Sequence, residues 1–347
     1  MAAVAAGQPP HVCLVDQFWP PVLVSTGALL PMKEFVDPEV YFADFTKIPM
    51  DTVTVDGEVW TMPFSMSNQI LFYNKDKFRE VGLDPDKPPT TWDELVEYSK
   101  LLTRDIDGDG RIDEWGINFT TRANVGAVYA FITFIWQAGG RLYNDDYTAA
   151  AFNEPEAIEA VNFLRDLAHK YGVLNLSPPQ EGFEVGRIAM QISSTSSIEA
   201  TKAKVDFDLG IAALPAYKEK VTGVGGSSLA IFKTKPEEQA AAWKFVEWMS
   251  SPETNLKWST LTGYTPLRKS VLESAEYKQY LAENPDMQVV IDQAEYAKAR
   301  PNEVSYADVS RILGVAIEEA LFSNLDPKPI LDAAVEEANI FIEQSKW

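Results

Sequence analysis

At 347 residues, 46% of them hydrophobic, the chain has length for about two domains and enough apolar side chains to give each a core. Its 51 Asp and Glu against 30 Lys and Arg leave a formal charge of −21 with no Lys/Arg-rich stretch to offset it, so phosphate backbones and anionic lipid surfaces are poor partners. A single cysteine, Cys13, excludes an intramolecular disulfide, and two histidines, His11 and His169, give almost nothing from which to build a Cys/His zinc site or a His-based triad.

The start, Met1-Ala-Ala-Val-Ala-Ala-Gly7, lacks the basic and long apolar regions of a signal peptide, and no run approaches the ~18 apolar residues of a membrane helix. Residues 11–15 are a short apolar run that predicts a buried strand, followed by a Pro-interrupted segment that ends at Gly27. A second apolar run at 70–74 follows a polar stretch at 65–69. Thr91-Trp-Asp-Glu94 has the spacing of a capping box and precedes Leu95, Tyr98, Leu101 and Leu102 at helical intervals. Pro155 ahead of 157–167, and Thr234-Lys-Pro-Glu237 ahead of 240–249, announce two more helices, and 252–261, 303–322 and 329–345 also look helical. Strand candidates at 188–192, 209–213 and 229–232 alternate with them, so the class is α/β. No internal repeat or low-complexity linker separates two domains, which fits one domain inserted into another or two lobes joined by several crossovers.

The most specific local signal is Asp105-Ile-Asp107-Gly-Asp109-Gly110-Arg111-Ile112-Asp113. Carboxylates at loop positions 1, 3 and 5, Gly at 6 and Asp at 9 match the EF-hand calcium loop, where alternate oxygens converge on a hard cation. The backbone of Arg111 would take the seventh position, and Gly116 replaces the usual bidentate Glu, leaving Asp113 or Glu114 to complete the shell. The expectation is a structural Ca2+ clip between a helix and a strand at 117–119; a solvated acidic turn is the alternative.

Two small-residue clusters, Gln191-Ile-Ser193-Ser-Thr-Ser-Ser197 and Gly223-Val-Gly-Gly-Ser-Ser228, sit at strand boundaries. Their hydroxyls and N–H groups suit either a polar ligand or ordinary turn chemistry and helix capping. Trp19 and Trp136 lie at breaks in the pattern and are candidates for stacking on a sugar ring, whereas Trp243 and Trp248 fall in an amphipathic helix and are expected in the core. No Walker loop and no G-x-G-x-x-G between strand and helix is present, so a nucleotide cofactor is unsupported.

Several motifs occur in an order that resembles the family 1 extracellular solute-binding proteins of ABC importers. They are Gly27-Ala-Leu-Leu-Pro31, Asp56-Gly-Glu-Val-Trp-Thr-Met-Pro63, Leu71-Phe-Tyr-Asn-Lys-Asp76, Pro89-Thr-Thr-Trp-Asp-Glu94, the acidic loop, Gln137-Ala-Gly-Gly-Arg-Leu-Tyr143, Gly186-Arg-Ile-Ala-Met190, Gly225-Gly226, Ala242-Trp-Lys-Phe245 and Thr262-Gly-Tyr-Thr-Pro266. Within that family the chain looks most like binding proteins for trehalose or maltose and for glycerol 3-phosphate. The resemblance implies a two-lobed α/β fold of the class II periplasmic-binding type, with lobe one at 1–70 and 233–275 and lobe two at 71–232 and 276–347. A ligand would be held between the lobes. It also implies that a first strand and helix of lobe one precede the point where this chain starts, so an unpaired strand edge and exposed apolar surface are expected there.

By position, the resemblance implies ligand contacts at Asp16, Gln17, Phe18, Trp19, Ser65, Ser67, Asn68, Trp136, Ser193, Ser194, Gly225, Gly226, Ser227, Tyr264 and Arg300. Ser310 and Arg311 stand where maltose-binding relatives are expected to carry an aromatic group, which argues against a maltodextrin. The implied function is capture of a small carbohydrate, without catalysis, for an ABC permease in the membrane, at a periplasmic or cell-surface location. The family form is a monomer; an incomplete lobe one favours an oligomer. A polyol phosphate is the alternative ligand, and Arg122 or Arg300 is the local cation that would receive it. Rivals from other classes are a two-carboxylate glycoside hydrolase and a calcium-dependent interaction module.

Overall fold

The computed structural model describes residues 2–123, 125–178 and 181–345. In chain order its main elements are β1 (Val12–Asp16), β2 (Met62–Asn74), α1 (Trp92–Leu102), β3 (Trp115–Asn118), α2 (Val125–Gln137), α3 (Pro155–His169), β4 (Ile188–Ser194), β5 (Leu209–Ala212), β6 (Thr222–Ile231), α4 (Pro236–Met249), α5 (Pro252–Thr262), α6 (Tyr306–Ser323) and α7 (Pro327–Gln344). The mixed α/β class is as expected from the alternation of periods. The chain divides into two compact units, the first made of Met1–Ser67, Val224–Pro285 and Lys298–Ala307, the second of Asn68–Gly223, Asp286–Ala297 and Asp308–Trp347.

This division departs from the expected lobes. Residues 224–232 belong to unit 1 because β6 pairs antiparallel with β1 there, Asp16 opposite Ser227 through Val12 opposite Ile231. Residues 276–285 stay with unit 1, where the helix Ala275–Glu283 buries Tyr277. Residues 298–307 return to unit 1 and bring Arg300 to Asp16. β2 and β6 each run through a boundary between units as continuous strands.

In unit 1, β1 is the terminal strand of its sheet, and Leu14 on it is 55% exposed. Ala3, Val4, Cys13, Leu14, Val15, Trp19, Leu23 and Phe232 line an apolar groove of about 360 Å3 beside it. The helices α4 and α5 each start with Pro within the first turn, where its missing N–H costs no hydrogen bond. The α4 box is one residue later than its sequence suggests: Glu238 accepts the N–H of Lys235, and Thr234 lies outside the helix. On α4, Trp243 stacks on Phe35 with ring centres 5.1 Å apart, but Trp248 is 61% exposed, contrary to the expectation that both are core. A helix of fourteen residues turns only part of its circumference inward, and Trp248 falls on the other part.

In unit 2, β2 lies between β4 and β5, both antiparallel to it, and β3 pairs parallel with β4. All thirteen residues of β2 are buried, so the polar stretch 65–69 is strand and not the lead-in to one. At α1 the Thr91 hydroxyl accepts the N–H of Glu94, while the Glu94 carboxylate reaches one residue further back, to Thr90. α2 was not foreseen at all. Its Phe131, Ile132, Phe134, Ile135 and Trp136 are buried, so apolar side chains occupy the helix nearly all round and leave no amphipathic period.

Candidate functional site

In unit 2, a cavity of about 640 Å3 opens beside the middle of β2 and the C-terminal ends of β3 and β4. β2 supplies Gln69, β3 runs out into Asn118, Thr120, Thr121 and Arg122, and β4 ends in Gln191, Ser193 and Ser194. Amide and hydroxyl groups of three strands thus converge on one cavity. The Ser193 hydroxyl meets that of Ser197 at 3.1 Å, and the Ser194 hydroxyl accepts the N–H of Ser196 at 3.3 Å. The hydroxyls therefore shape the turn, and Ser193 and Ser194 also line the cavity. Asn68 is fully buried; its N–H donates to the Thr195 hydroxyl, and its side-chain amide has no protein partner. Trp136, 5% exposed on α2, is packed in the core and is not in the cavity wall.

Among the described residues, Arg122 is the single cation in that wall. Its guanidinium donates to Glu318 at 3.0 Å and lies 3.8 Å above the Phe322 ring. The Ala123 N–H and Arg122 together hold the Glu318 carboxyl below the usual carboxylate range.

Unit 1 gathers eleven of the sequence candidates. Arg300, its side chain 3% exposed, forms an ion pair with Asp16 and sits 5.0 Å from the centre of the Phe18 ring. Burial pushes the Asp16 carboxyl up, with Arg300 opposing. Phe18 in turn contacts Trp19 and, edge on, Tyr306. Ser65 and Ser227 bring their hydroxyls to 2.7 Å, beside Gly226. Gln17 faces inward, where its amide donates to the Val224 carbonyl, so it ties β1 to β6. Tyr264 stacks on Trp258 with centres 6.0 Å apart, and the buried Trp258 Nε1 has no protein partner. Ser67 is buried in β2.

The acidic loop is exposed on unit 2. Oxygens of Asp105, Asp107 and Asp109 come within 4.8 Å of one another. Backbone donors fix them in place: Gly108 and Gly110 donate to Asp105, Asp109 donates to Asp107, and Arg111 donates to Asp109. Asp113 accepts the Ile106 N–H, closing the loop from its far end. Glu114 is not in the cluster, because Lys77 and Arg104 both hold its carboxylate. The carboxylate set has the oxygen donors a hard cation takes.

Sequence reasoning missed Gln69, Asn118, Thr120, Thr121, Gln191, Trp258 and Tyr306. For the group at 118–122 a signal was present, since Asn118-Phe-Thr-Thr-Arg122 follows a strand in the same way as the serine cluster that was singled out.

A two-unit α/β fold with amide and hydroxyl groups gathered around a cavity is suited to holding a small solute. The family of bacterial extracellular solute-binding proteins matches residues 1–286, and the chain belongs to it. It is accordingly the solute-binding component of an ABC importer, acts in the periplasm or outside the cell, and has membrane permease subunits as partners. It is similar to the sn-glycerol-3-phosphate-binding periplasmic protein UgpB of Salmonella paratyphi A, 25% identical over 98% of this chain and 81% of that one. Among solved structures it is similar to the cyclic alpha-maltosyl-1,6-maltose binding protein of Arthrobacter globiformis, at 29% identity and a TM-score of 0.84 over 99% of this chain and 87% of that one. A solute-binding protein of Thermotoga lettingae bound with alpha-D-tagatose gives 28% identity and a TM-score of 0.86 over 98% and 87%. Among the described residues no helix is long and apolar enough to cross a membrane.

Proposed function

We propose that the protein captures a small carbohydrate and delivers it to the permease, with no catalysis of its own. The observation that carries this reading is the cavity of unit 2, whose wall presents the side-chain amides of Gln69, Asn118 and Gln191 and the hydroxyls of Thr120, Thr121, Ser193 and Ser194 and, among the described residues, no Asp or Glu. Groups of that kind hydrogen-bond sugar hydroxyls, while glycoside hydrolysis needs paired carboxylates at the reacting centre. The sugar ligands named for the Arthrobacter and Thermotoga proteins support the same class. A polyol phosphate is the second reading, favoured by the ligand named for the Salmonella relative.

The loop at Asp105, Asp107 and Asp109 is proposed to hold a structural calcium ion, with the Arg111 carbonyl and Asp113 as further oxygen donors. It joins α1 to β3 and has no part in solute capture.

A thermal-shift screen against monosaccharides, disaccharides and glycerol phosphates tests the main reading, because a ligand that binds only the folded chain raises its melting temperature. One sugar raising it by several degrees, with the sugar recovered unchanged, is the expected result. Turnover of a glycoside, or no response to any member, removes the reading.

A further inference from the structure

Resting on the carbohydrate reading, the wall of the unit 2 cavity also sets the charge of its ligand. Gln69 Oε1 and Asn118 Oδ1 are both buried and have no hydrogen-bond partner among the described residues. Gln69 is only 2% exposed, so solvent does not replace the missing donor easily. A buried acceptor left unpaired is costly, and what repairs it is a donor. Sugar hydroxyls donate; the oxygens of a phosphate dianion accept only.

The cation in the wall does not reverse this preference. Arg122 is engaged by Glu318 at 3.0 Å and by the Phe322 ring, and Glu318 is anchored a second time by the Ala123 N–H. The bonds that hold Glu318 below the usual carboxylate range keep it ionised near neutral pH, so the pair is compensated internally. A phosphate approaching Arg122 meets the Glu318 carboxylate held 3.0 Å from the guanidinium, and that like charge opposes binding.

We infer that the cavity selects an uncharged, hydroxyl-bearing ligand, with Gln69 and Asn118 accepting its O–H groups and Glu318 disarming Arg122 toward anions. Gln69 and Asn118 are then specificity-determining residues, and Glu318 acts through Arg122 as a positioning residue.

The test is isothermal titration of the full chain with matched pairs: glucose and glucose 6-phosphate, maltose and its 6'-phosphate, trehalose and trehalose 6-phosphate, glycerol and sn-glycerol 3-phosphate. The neutral member of the best-bound pair is expected to bind at least about ten-fold more tightly than its ester. Glu318→Gln, which keeps an acceptor for the Ala123 N–H, should narrow that gap by about ten-fold through a gain in phosphate affinity. Asn118→Leu should weaken the neutral ligand, with an unchanged melting temperature showing that the fold is intact. Tighter binding of an ester by the unaltered protein, or a gap unmoved by Glu318→Gln, overturns the inference and leaves the solute-binding reading standing. Binding of no member removes the carbohydrate reading itself, and the inference with it.

Discussion

A side-chain carbon placed on Gly226 would lie 2.1 Å from the carbonyl oxygen of Ser65. The backbone at Gly226 also has a φ of +148°, a conformation that residues with a side chain rarely adopt. Gly226→Ala is therefore expected to cost roughly 2–4 kcal/mol, from overpacking against backbone and from dihedral strain together. Gly27→Ala separates the two causes. Its φ is +69° with open space around it, so it should cost only about 1 kcal/mol. Equal losses in thermal unfolding for the two variants would show that the collision with Ser65 is relieved at no cost.

The Glu114 carboxylate is half of a two-cation clamp on unit 2. Burial works to raise it, but bonds from Lys77 and Arg104 outweigh burial and hold it below its ordinary value of 4.5. An acid depressed on folding contributes stability above its unfolded pKa and loses it as pH falls through the folded one. Glu114→Gln should therefore be less stable than the parent by about 1–2 kcal/mol at neutral pH, and the difference should shrink once pH drops below the ordinary glutamate range. Denaturant titrations between pH 3 and pH 7, as a window of roughly one carboxylate titration on each side, measure it; a difference constant across that range contradicts the clamp.

Calcium at about a hundred-fold excess over its Kd should stabilise the chain by about 2.7 kcal/mol, and chelator should remove the gain. Asp107→Asn keeps an acceptor for the Asp109 N–H but takes away a charge, so it should lose most of the calcium increment while melting normally in chelator. If the melting temperature is the same with calcium and with chelator, the loop is a solvated turn.

Trp243 and Trp248 share α4 but not an environment. Trp243→Ala removes the face that stacks on Phe35 and should cost about 2–3 kcal/mol, whereas Trp248→Ala, at a mostly exposed position, should stay within about 0.5 kcal/mol. Comparable losses in chemical denaturation would mean that Trp248 is covered in solution.

How legible each feature was follows from whether it leaves a local trace. α1, α3 and the acidic loop do, because a capping residue, a Pro in the first turn or alternate carboxylates announce them within a few positions, whereas the apolar run at 11–15 gave the strand β1 but not its burial, since none of Val12–Asp16 is buried. α2 leaves none: a helix apolar nearly all round has the composition of a buried strand and no period to reveal it. The length of β2 was hidden for the opposite reason, since Ser65, Ser67, Asn68 and Gln69 are polar yet buried. Pairing of Asp16 with Arg300 joins positions 284 apart in the chain, and no spacing rule reaches that far. Resemblance to a family singled out each residue as a ligand contact, not the bond between them. Gln69 and Asn118 were passed over because single amides in a strand look like ordinary edge polarity until the cavity beside them is seen.

The alternation of units along the chain bears on the order of folding. Unit 1 is assembled from three separate stretches, the last ending at Ala307, and unit 2 from three more, the last of which carries α7. β1 finds its partner strand only after more than half the chain has been made, and most of α6 and all of α7 come later still. Neither unit can be completed from the N-terminal end as the polypeptide emerges, and contacts this distant in sequence form slowly. Unit 1 lacks its last stretch until Ala307 has been made, and unit 2 until α7 has. That delay suits a polypeptide that must be threaded through a membrane before it folds, and it leaves the β1 strand exposed to misassembly for the same interval.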